Sequence, residues 1–373
     1  MTHRHYSEAI SRELTRRYEQ MRQRAQLLAE QNRDKVYHNH PELRELRNRL
    51  QSAQWARTKQ RCLSMVDNKD SQSAVVKPLD SSLLLSDPQA MQDDPDKIRQ
   101  QICNYLDQHH IPRDFDHPQY SCFLCEDTGT RSDGQDCSCR RHHLKIIQKQ
   151  RNLMLPPEQN CFANHLPELF SDQCDPNCYG GKISQREVVA LARSQAENYT
   201  AIFSDETEYS AQKNIYICGP TGTGKSFLLG AIGNELLEQG FTVVHISAAE
   251  LSTFFQQRQR IQKEFNPDEA EVNRLESLLD EFTCCEFLSI DDLGAEAPDS
   301  SFTNHLSWLL DQREQRGNNT GVSSNLLPSD LQRYYGERLS SRLVNTATVI
   351  ILDGEDVRQR AVDTRLLQTR GFR

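Results

Sequence analysis

Residues 219–226 read Gly219-Pro220-Thr221-Gly222-Thr223-Gly224-Lys225-Ser226, a complete phosphate-binding loop in a chain of 373 residues. A short apolar strand, Ile215-Tyr216-Ile217-Cys218, runs into it, and a helix-like run, Phe227-Leu228-Leu229-Gly230-Ala231-Ile232, follows. Strand, loop and helix in that order are the context the motif needs. Gly222 and Gly224 let the backbone curl so that successive N–H groups face phosphate oxygens. The helix that starts there turns its positive dipole end to the same phosphates. Lys225 is placed to reach the β- and γ-phosphates, and the Ser226 hydroxyl to ligate Mg²⁺. ATP with Mg²⁺ is the ligand this predicts.

The rest of the C-terminal half supports a parallel-sheet α/β domain. Strand candidates are 214–218, 242–246, 286–290, 320–324 and 347–352, with helices between them. Phe287-Leu288-Ser289-Ile290-Asp291-Asp292 is an apolar strand ending in two carboxylates, 66 residues after Lys225. In open α/β sheets the C-terminal ends of strands face the ligand. Asp291 is therefore expected to hold Mg²⁺, directly or through water, and Asp292 to orient or deprotonate the attacking water. Asn325 follows the strand at 320–324; it can reach the γ-phosphate or the water, or simply form a turn. Arg338 and Arg342 are four residues apart on one helix face. Such a pair either contacts the γ-phosphate of a neighbouring subunit or makes a salt-bridged surface. Arg358 comes soon after the last strand.

Cys122-Phe123-Leu124-Cys125 and Cys137-Ser138-Cys139 are separated by an 11-residue loop containing Gly129 and Gly134. Two close pairs on turns can deliver four thiolates tetrahedrally to Zn²⁺. His142 and His143 offer substitute nitrogens, and an iron–sulfur cluster or a redox dithiol is the other reading. A closed four-ligand site has no open position, so its expected role is structural. The remaining eight of the twelve cysteines read as small buried residues or incidental thiols, and a disulfide scaffold is not expected.

The net charge of −9 conceals an asymmetry: residues 1–61 hold 14 Lys/Arg against 7 Asp/Glu. That basic arm suits nucleic acid, an acidic protein surface, or plain solvation. It reads as helical, with Ile10, Leu14, Tyr18, Met21, Ala25 and Leu28 on one stripe. After a break at 38–41, Leu43, Leu46, Leu50 and Ala53 form a second stripe. Either the two helices pack on each other or they bind a partner. Residues 64–95 read as a linker containing the apolar Leu83-Leu84-Leu85, followed by a short helix with Ile98, Ile102, Tyr105 and Leu106 on one face. No apolar run approaches membrane-spanning length and no signal peptide is visible, so a cytoplasmic protein is expected.

The order Gly219–Ser226, Asp291-Asp292, Ser324-Asn325, Glu337–Leu343 and Val357-Arg358 resembles an AAA+ ATPase. More narrowly, it resembles the bacterial replicative-helicase loaders of the DnaC/DnaI type. Cys122-x-x-Cys125-x-Asp127-Thr128-Gly129 with Cys137-x-Cys139 is similar to that family's zinc-binding segment. Phe162-Ala163-Asn164-His165 and Leu169–Asp172 are similar to the stretch leading into its ATPase domain. The resemblance implies an AAA+ P-loop sheet flanked by helices at 181–373. Ahead of it would come a helical partner-binding region at 1–63, a linker at 64–95, and a short helix, four-cysteine zinc segment and connector at 96–180. By position, Asn325 resembles sensor one, Arg342 the arginine finger with Arg338 the second choice, and Arg358 sensor two. Gly219, Pro220, Thr221, Gly222, Thr223, Gly224, Lys225, Ser226 and Asp291 would bind the nucleotide. Many AAA+ proteins have Asp-Glu where this chain has Asp291-Asp292, and the shorter acid implies slow hydrolysis.

The family's partners are the hexameric replicative helicase, single-stranded DNA and further copies of the loader. The helix starting near Glu250 and running through Arg258, Arg260 and Lys263 lies where these proteins contact DNA. Its Phe254 and Phe255 either stack on bases or sit in the core. Two other functions suit the same motifs: a transposition helper ATPase, and a nucleotide-binding adaptor with negligible turnover.

Overall fold

The parallel sheet is built from strands whose alternate residues serve two different cores. In the computed structural model, β1 (Asn214–Cys218) sends Ile215 and Ile217 to one face and Tyr216 and Cys218 to the other, all buried. That double burial is why the strand is apolar throughout rather than alternating. β2 (Val243–Ser247), β3 (Phe287–Leu293), β4 (Asn319–Ser324) and β5 (Ala347–Ile351) join it in the order β2-β3-β4-β1-β5, every pair parallel. β1 falls on the residues read from sequence, and the ends of the other strands lie within three residues of those read.

The structure describes residues 6–67, 93–151, 154–174, 181–203, 214–296 and 299–358. Most of the segment read as a linker, with Leu83-Leu84-Leu85, lies outside the described residues. The described chain divides into two compact units, residues 18–128 and residues 1–17 with 129–373. This division follows contacts, whereas the segments read from sequence followed composition.

In the unit of residues 18–128, the part of the long helix α1 (Glu8–Asn39) from Tyr18 onward runs up to His40, and α2 (Pro41–Asp67) starts on Pro41, a residue suited to a first helical turn. α2 thus extends four residues into the segment read as linker. α3 (Pro95–Gln108) has Asp94 as its N-cap, accepting from Asp96 N at 3.2 Å. Leu43 and Ala53 of α2 pack with Ile98, Ile102 and Leu106 of α3 and with Phe115. Arg49 and Arg57 bond Asp93 and Asp94, each at 2.8 Å. The α1 stripe ends differently from expectation: Ala25 and Ala29 are buried while Leu28 is half exposed.

In the larger unit, α4 (Cys139–Gln150) presents Gln148 to the sheet edge. Its amide accepts from Val243 N (2.7 Å) and donates to Phe241 O (3.0 Å). Met154 O accepts from His245 N at 2.7 Å, so outward-facing groups of edge strand β2 are partnered. One face of the sheet is covered by α5 (Gln185–Ile202), which opens with a Ser184–Glu187 capping box, and by α6 (Lys225–Glu238). The other is covered by α7 (Ala248–Lys263), α8 (Glu269–Cys284), α9 (Ser300–Arg316) and α10 (Pro328–Val344). α10 is two helical pieces, because Gly336 within it has φ +82° and ψ 166°.

Phe254 and Phe255 resolve as core. Both are buried, Phe254 edge-on to Phe282 at 4.9 Å and Phe255 stacked on His305 at 4.8 Å. Of the two readings left open by the sequence, base stacking or core packing, burial selects the core. The aromatic side chain that does stand in solvent here is Phe265, fully exposed between α7 and α8. Among the described residues no helix is long and apolar enough to cross a membrane.

Candidate nucleotide and metal sites

The phosphate loop sits where β1 gives way to α6. Gly219 (φ +145°) is pressed against the Leu352 carbonyl, which a β-carbon would meet at 1.7 Å. Gly224 (φ +96°) is the N-cap of α6, and no side chain caps that helix. Its first amides are left to a ligand, the arrangement that binds anions. Thr223 Oγ1 donates to Pro220 O at 2.9 Å, and the buried Lys225 Nζ donates to the same carbonyl at 2.7 Å. Burial pushes the Lys225 pKa down, against the pull of Asp292 and Asp291 in the other direction. A buried ammonium whose hydrogen bond goes to its own loop fits an incoming polyphosphate.

Asp291 and Asp292 stand at the C-terminal end of β3, facing the loop as the order of the sheet requires. Asp291 pairs across the ladder with Ser247, and the register between β3 and β4 shifts between Ile290 and Leu293. Asp292 takes up that irregularity with φ +56°, a left-handed conformation that Asp tolerates better than most residues. Its backbone N–H donates to Ser323 Oγ at 2.9 Å, and the same hydroxyl donates to Asp291 Oδ1. Partial burial and then the neighbouring Asp291 push the Asp292 pKa up, while Lys225 and Arg358 draw it down. Ser226, expected with Asp291 to hold Mg²⁺, lies in the first turn of α6 directly after Lys225, and hydroxyl and carboxylate oxygens are donors that Mg²⁺ takes.

The other sequence candidates are placed unequally. Asn325 is exposed, one residue beyond β4. Ser323, which reasoning from sequence passed over, is the β4 residue that binds Asp291. The signal was parity: Ser323 and Gly321 share the face of Ser289 and Asp291, with Gly321 paired to Ser289. His245 was also missed; its Nδ1 lies 2.7 Å from Ser289 Oγ on the same face. Arg338 and Arg342 both ion-pair with Asp311 of α9. Arg358 is exposed, and its backbone N–H donates to Asp356 Oδ1 at 2.9 Å.

The cysteine segment gathers as its spacing implied. One ligand atom from each of Cys122, Cys125, Cys137 and Cys139 lies within 4.8 Å of all the others, and among the described residues no histidine joins the group. Four thiolates at about 2.3 Å from a tetrahedral Zn²⁺ stand roughly 3.8 Å apart, so the cluster fits the ion. Asp127, buried with φ +53°, accepts from Ser121 N (2.9 Å) and Cys122 N (2.8 Å) and shapes the first turn. Cys137 N donates to Gly129 O at 2.9 Å and shapes the second. His143 accepts a hydrogen bond from Arg17 Nε at 3.1 Å instead of joining the cluster. Purified protein is expected to carry about one zinc per chain. Cys137→Ser should lose it and lower the thermal midpoint by several degrees. Full metal content in that variant would sink the assignment.

No known protein-family profile matches the chain. Curated relatives do. The replicative helicase loader DnaC of Buchnera aphidicola subsp. Baizongia pistaciae is 29% identical over 145 residues, covering 38% of this chain and 56% of that protein. The loader DnaI of Bacillus subtilis is 29% identical over 175 residues, covering 43% and 53%. The loader DnaC of Escherichia coli K12 is 24% identical over 212 residues, covering 56% and 74%. The chain spans about half the length of the first two. Among solved structures, a crystal structure titled DnaI aligns at 22% identity and TM-score 0.35, covering 44% of this chain and 85% of that one. Domain III of Thermotoga maritima DnaA aligns at 19% identity and TM-score 0.37, covering 48% and 70%.

Proposed function

We propose that this chain, a sequence relative of the DnaC/DnaI-type replicative helicase loaders, is an ATPase that binds a hexameric replicative helicase and loads it onto single-stranded DNA. The observation that carries the reading is the assembly of Gly219–Ser226 with Asp291 and Asp292 at the C-terminal ends of the strands of a parallel sheet, in a chain whose relatives bear loader names. Nothing in those names points to transposition.

In this reading the loop amides and Lys225 bind the phosphates, and Ser226 with Asp291 holds Mg²⁺. The metal would neutralise charge on the phosphates. Asp292 orients the attacking water, with its raised pKa favouring proton acceptance. Asn325 and Arg358 respond to the γ-phosphate as sensors. Arg342 serves the site of an adjoining copy, exchanging Asp311 for phosphate when copies assemble. The zinc segment is structural.

Residues 1–63 are assigned to the helicase, and their surface suits a protein partner: Trp55 of α2 is 72% exposed and Leu27 of α1 is 55% exposed. Single-stranded DNA is assigned to the end of α7, where Lys263 and the exposed Phe265 offer a charge and a stacking face. Arg258 and Arg260 there are bonded to Glu276 and Glu264.

Mass photometry of the protein with the hexameric helicase of its source cell, with and without ATP, tests the reading. A species heavier than the hexamer is expected, and Trp55→Ala with Leu27→Ala should reduce it at least about tenfold in affinity, the size of a pair of interface anchors. No complex under either condition would overturn the loader function.

A further inference from the structure

The residues after β5 lie directly on the phosphate loop. Leu352 N donates to Cys218 O at 2.7 Å, and Val357 N donates to Gly222 O at 3.1 Å. Between these two bonds the Asp356 carboxylate fills the space beside Gly222. A β-carbon on Gly222 would stand 1.9 Å from Asp356 Oδ1 and 2.6 Å from Oδ2. Gly222 is thus required twice, by its φ of +80° and by the carboxylate that stands where a side chain would go.

The segment is fastened. Val357 is buried with the α5–α6 core, and Gln185 Nε2 donates to Glu355 O at 3.0 Å. The Gln185 side chain packs on Gly354, where a β-carbon would meet it at 2.4 Å. Asp356 Oδ1 accepts from Arg358 N, a turn that orients the carboxylate.

A phosphate loop concentrates N–H groups and a lysine to favour anions. A negative charge held against one of its glycines opposes them. Asp291 and Asp292 also stand nearby, but as a pair at a strand end they suit a divalent cation, which Asp356, on another segment, has no evident share in.

We infer that Asp356 is a charge gate on nucleotide binding: its carboxylate competes with the phosphates for the loop, so that a bound polyphosphate displaces residues 353–358 from Gly222. Because Arg358 is two residues away, the same displacement reorients a cation toward the site. The segment after β5 thereby reports occupancy of the phosphate loop. This rests on the nucleotide reading above.

Asp356→Asn tests it, since Asn keeps the size and the turn-forming oxygen while removing the charge. Affinities of the full-length wild type and variant for ATP, ADP and adenosine are measured by calorimetry at low and high salt. The variant is expected to bind ATP roughly three- to tenfold tighter, the scale of one charge several ångströms away at intermediate dielectric. The gain should be smaller for ADP, absent for adenosine, and reduced by salt. Asp356→Ser should give the same ordering and serves if the Asn variant does not fold. Unchanged or weaker ATP binding in the variants, or an equal gain for adenosine, overturns the gate while leaving the nucleotide site standing. If neither wild type nor variant binds ATP, the nucleotide reading falls and the gate with it.

Discussion

Lys225→Ala is expected to weaken ATP binding at least about 100-fold, equivalent to two steps of about 1.4 kcal/mol. The magnitude follows from where the ammonium sits. It is buried at the base of the loop and donates to Pro220 O, so it is preorganised and partly desolvated before any phosphate arrives. Removing it takes a charge-assisted partner from the polyphosphate and leaves Asp292 with Arg358 as the cation still acting on it. Stability should hardly fall, because a buried charge whose pKa is already depressed is lost. Titration with a fluorescent ATP analogue, beside a melting curve, checks both halves. Retained binding in a folded variant would mean that the loop is not the nucleotide site.

Arg313→Ala should cost about 3–5 kcal/mol of stability, a loss reserved for broken buried networks. Arg313 of α9 is 1% exposed. Its guanidinium donates to Thr320 Oγ1 (2.9 Å), to Phe282 O (2.6 Å), to Cys285 O (3.0 Å) and to Asn319 O. One side chain thus ties the end of α8, the approach to β3 and the start of β4. Alanine strands those carbonyls away from water and leaves a cavity of side-chain size. Lysine cannot serve several directions with one ammonium and should recover only part of the loss. Chemical denaturation of the three proteins reads this directly, and an alanine variant within about 1 kcal/mol of wild type would show that the carbonyls find other donors.

Local chemistry was legible in the sequence wherever it was contiguous. The strand–loop–helix of 214–238, the carboxylates ending β3 and the cysteine spacing each reveal themselves within a short window. Pairings across the sheet did not. Ser323 meets Asp291 because Ile290 pairs with Val322, and which residues of two separate strands pair is not written in either strand alone. Arg313 looked like any charged residue near a helix C-terminus, where solvent is the usual surrounding. Asp356 becomes notable only when the segment after β5 is seen to lie on Gly222. The α7 aromatics illustrate the converse. A Phe pair next to arginines suggests nucleic acid, but the apolar face of a helix over a sheet demands the same residues, and burial decided for the core.

The left-handed backbone at Asp292 bears on why the second acid of the strand is short. Among residues carrying a carboxylate, Asp adopts φ near +56° more readily than Glu, whose longer chain gains nothing from local bonding to the backbone. A lineage acquiring Glu at this position would extend its reach toward water but would have to flatten the bulge between Ile290 and Leu293 and re-aim the N–H held by Ser323. Reach and register are therefore coupled at this position, and a longer acid cannot be set there without changing how β3 meets β4.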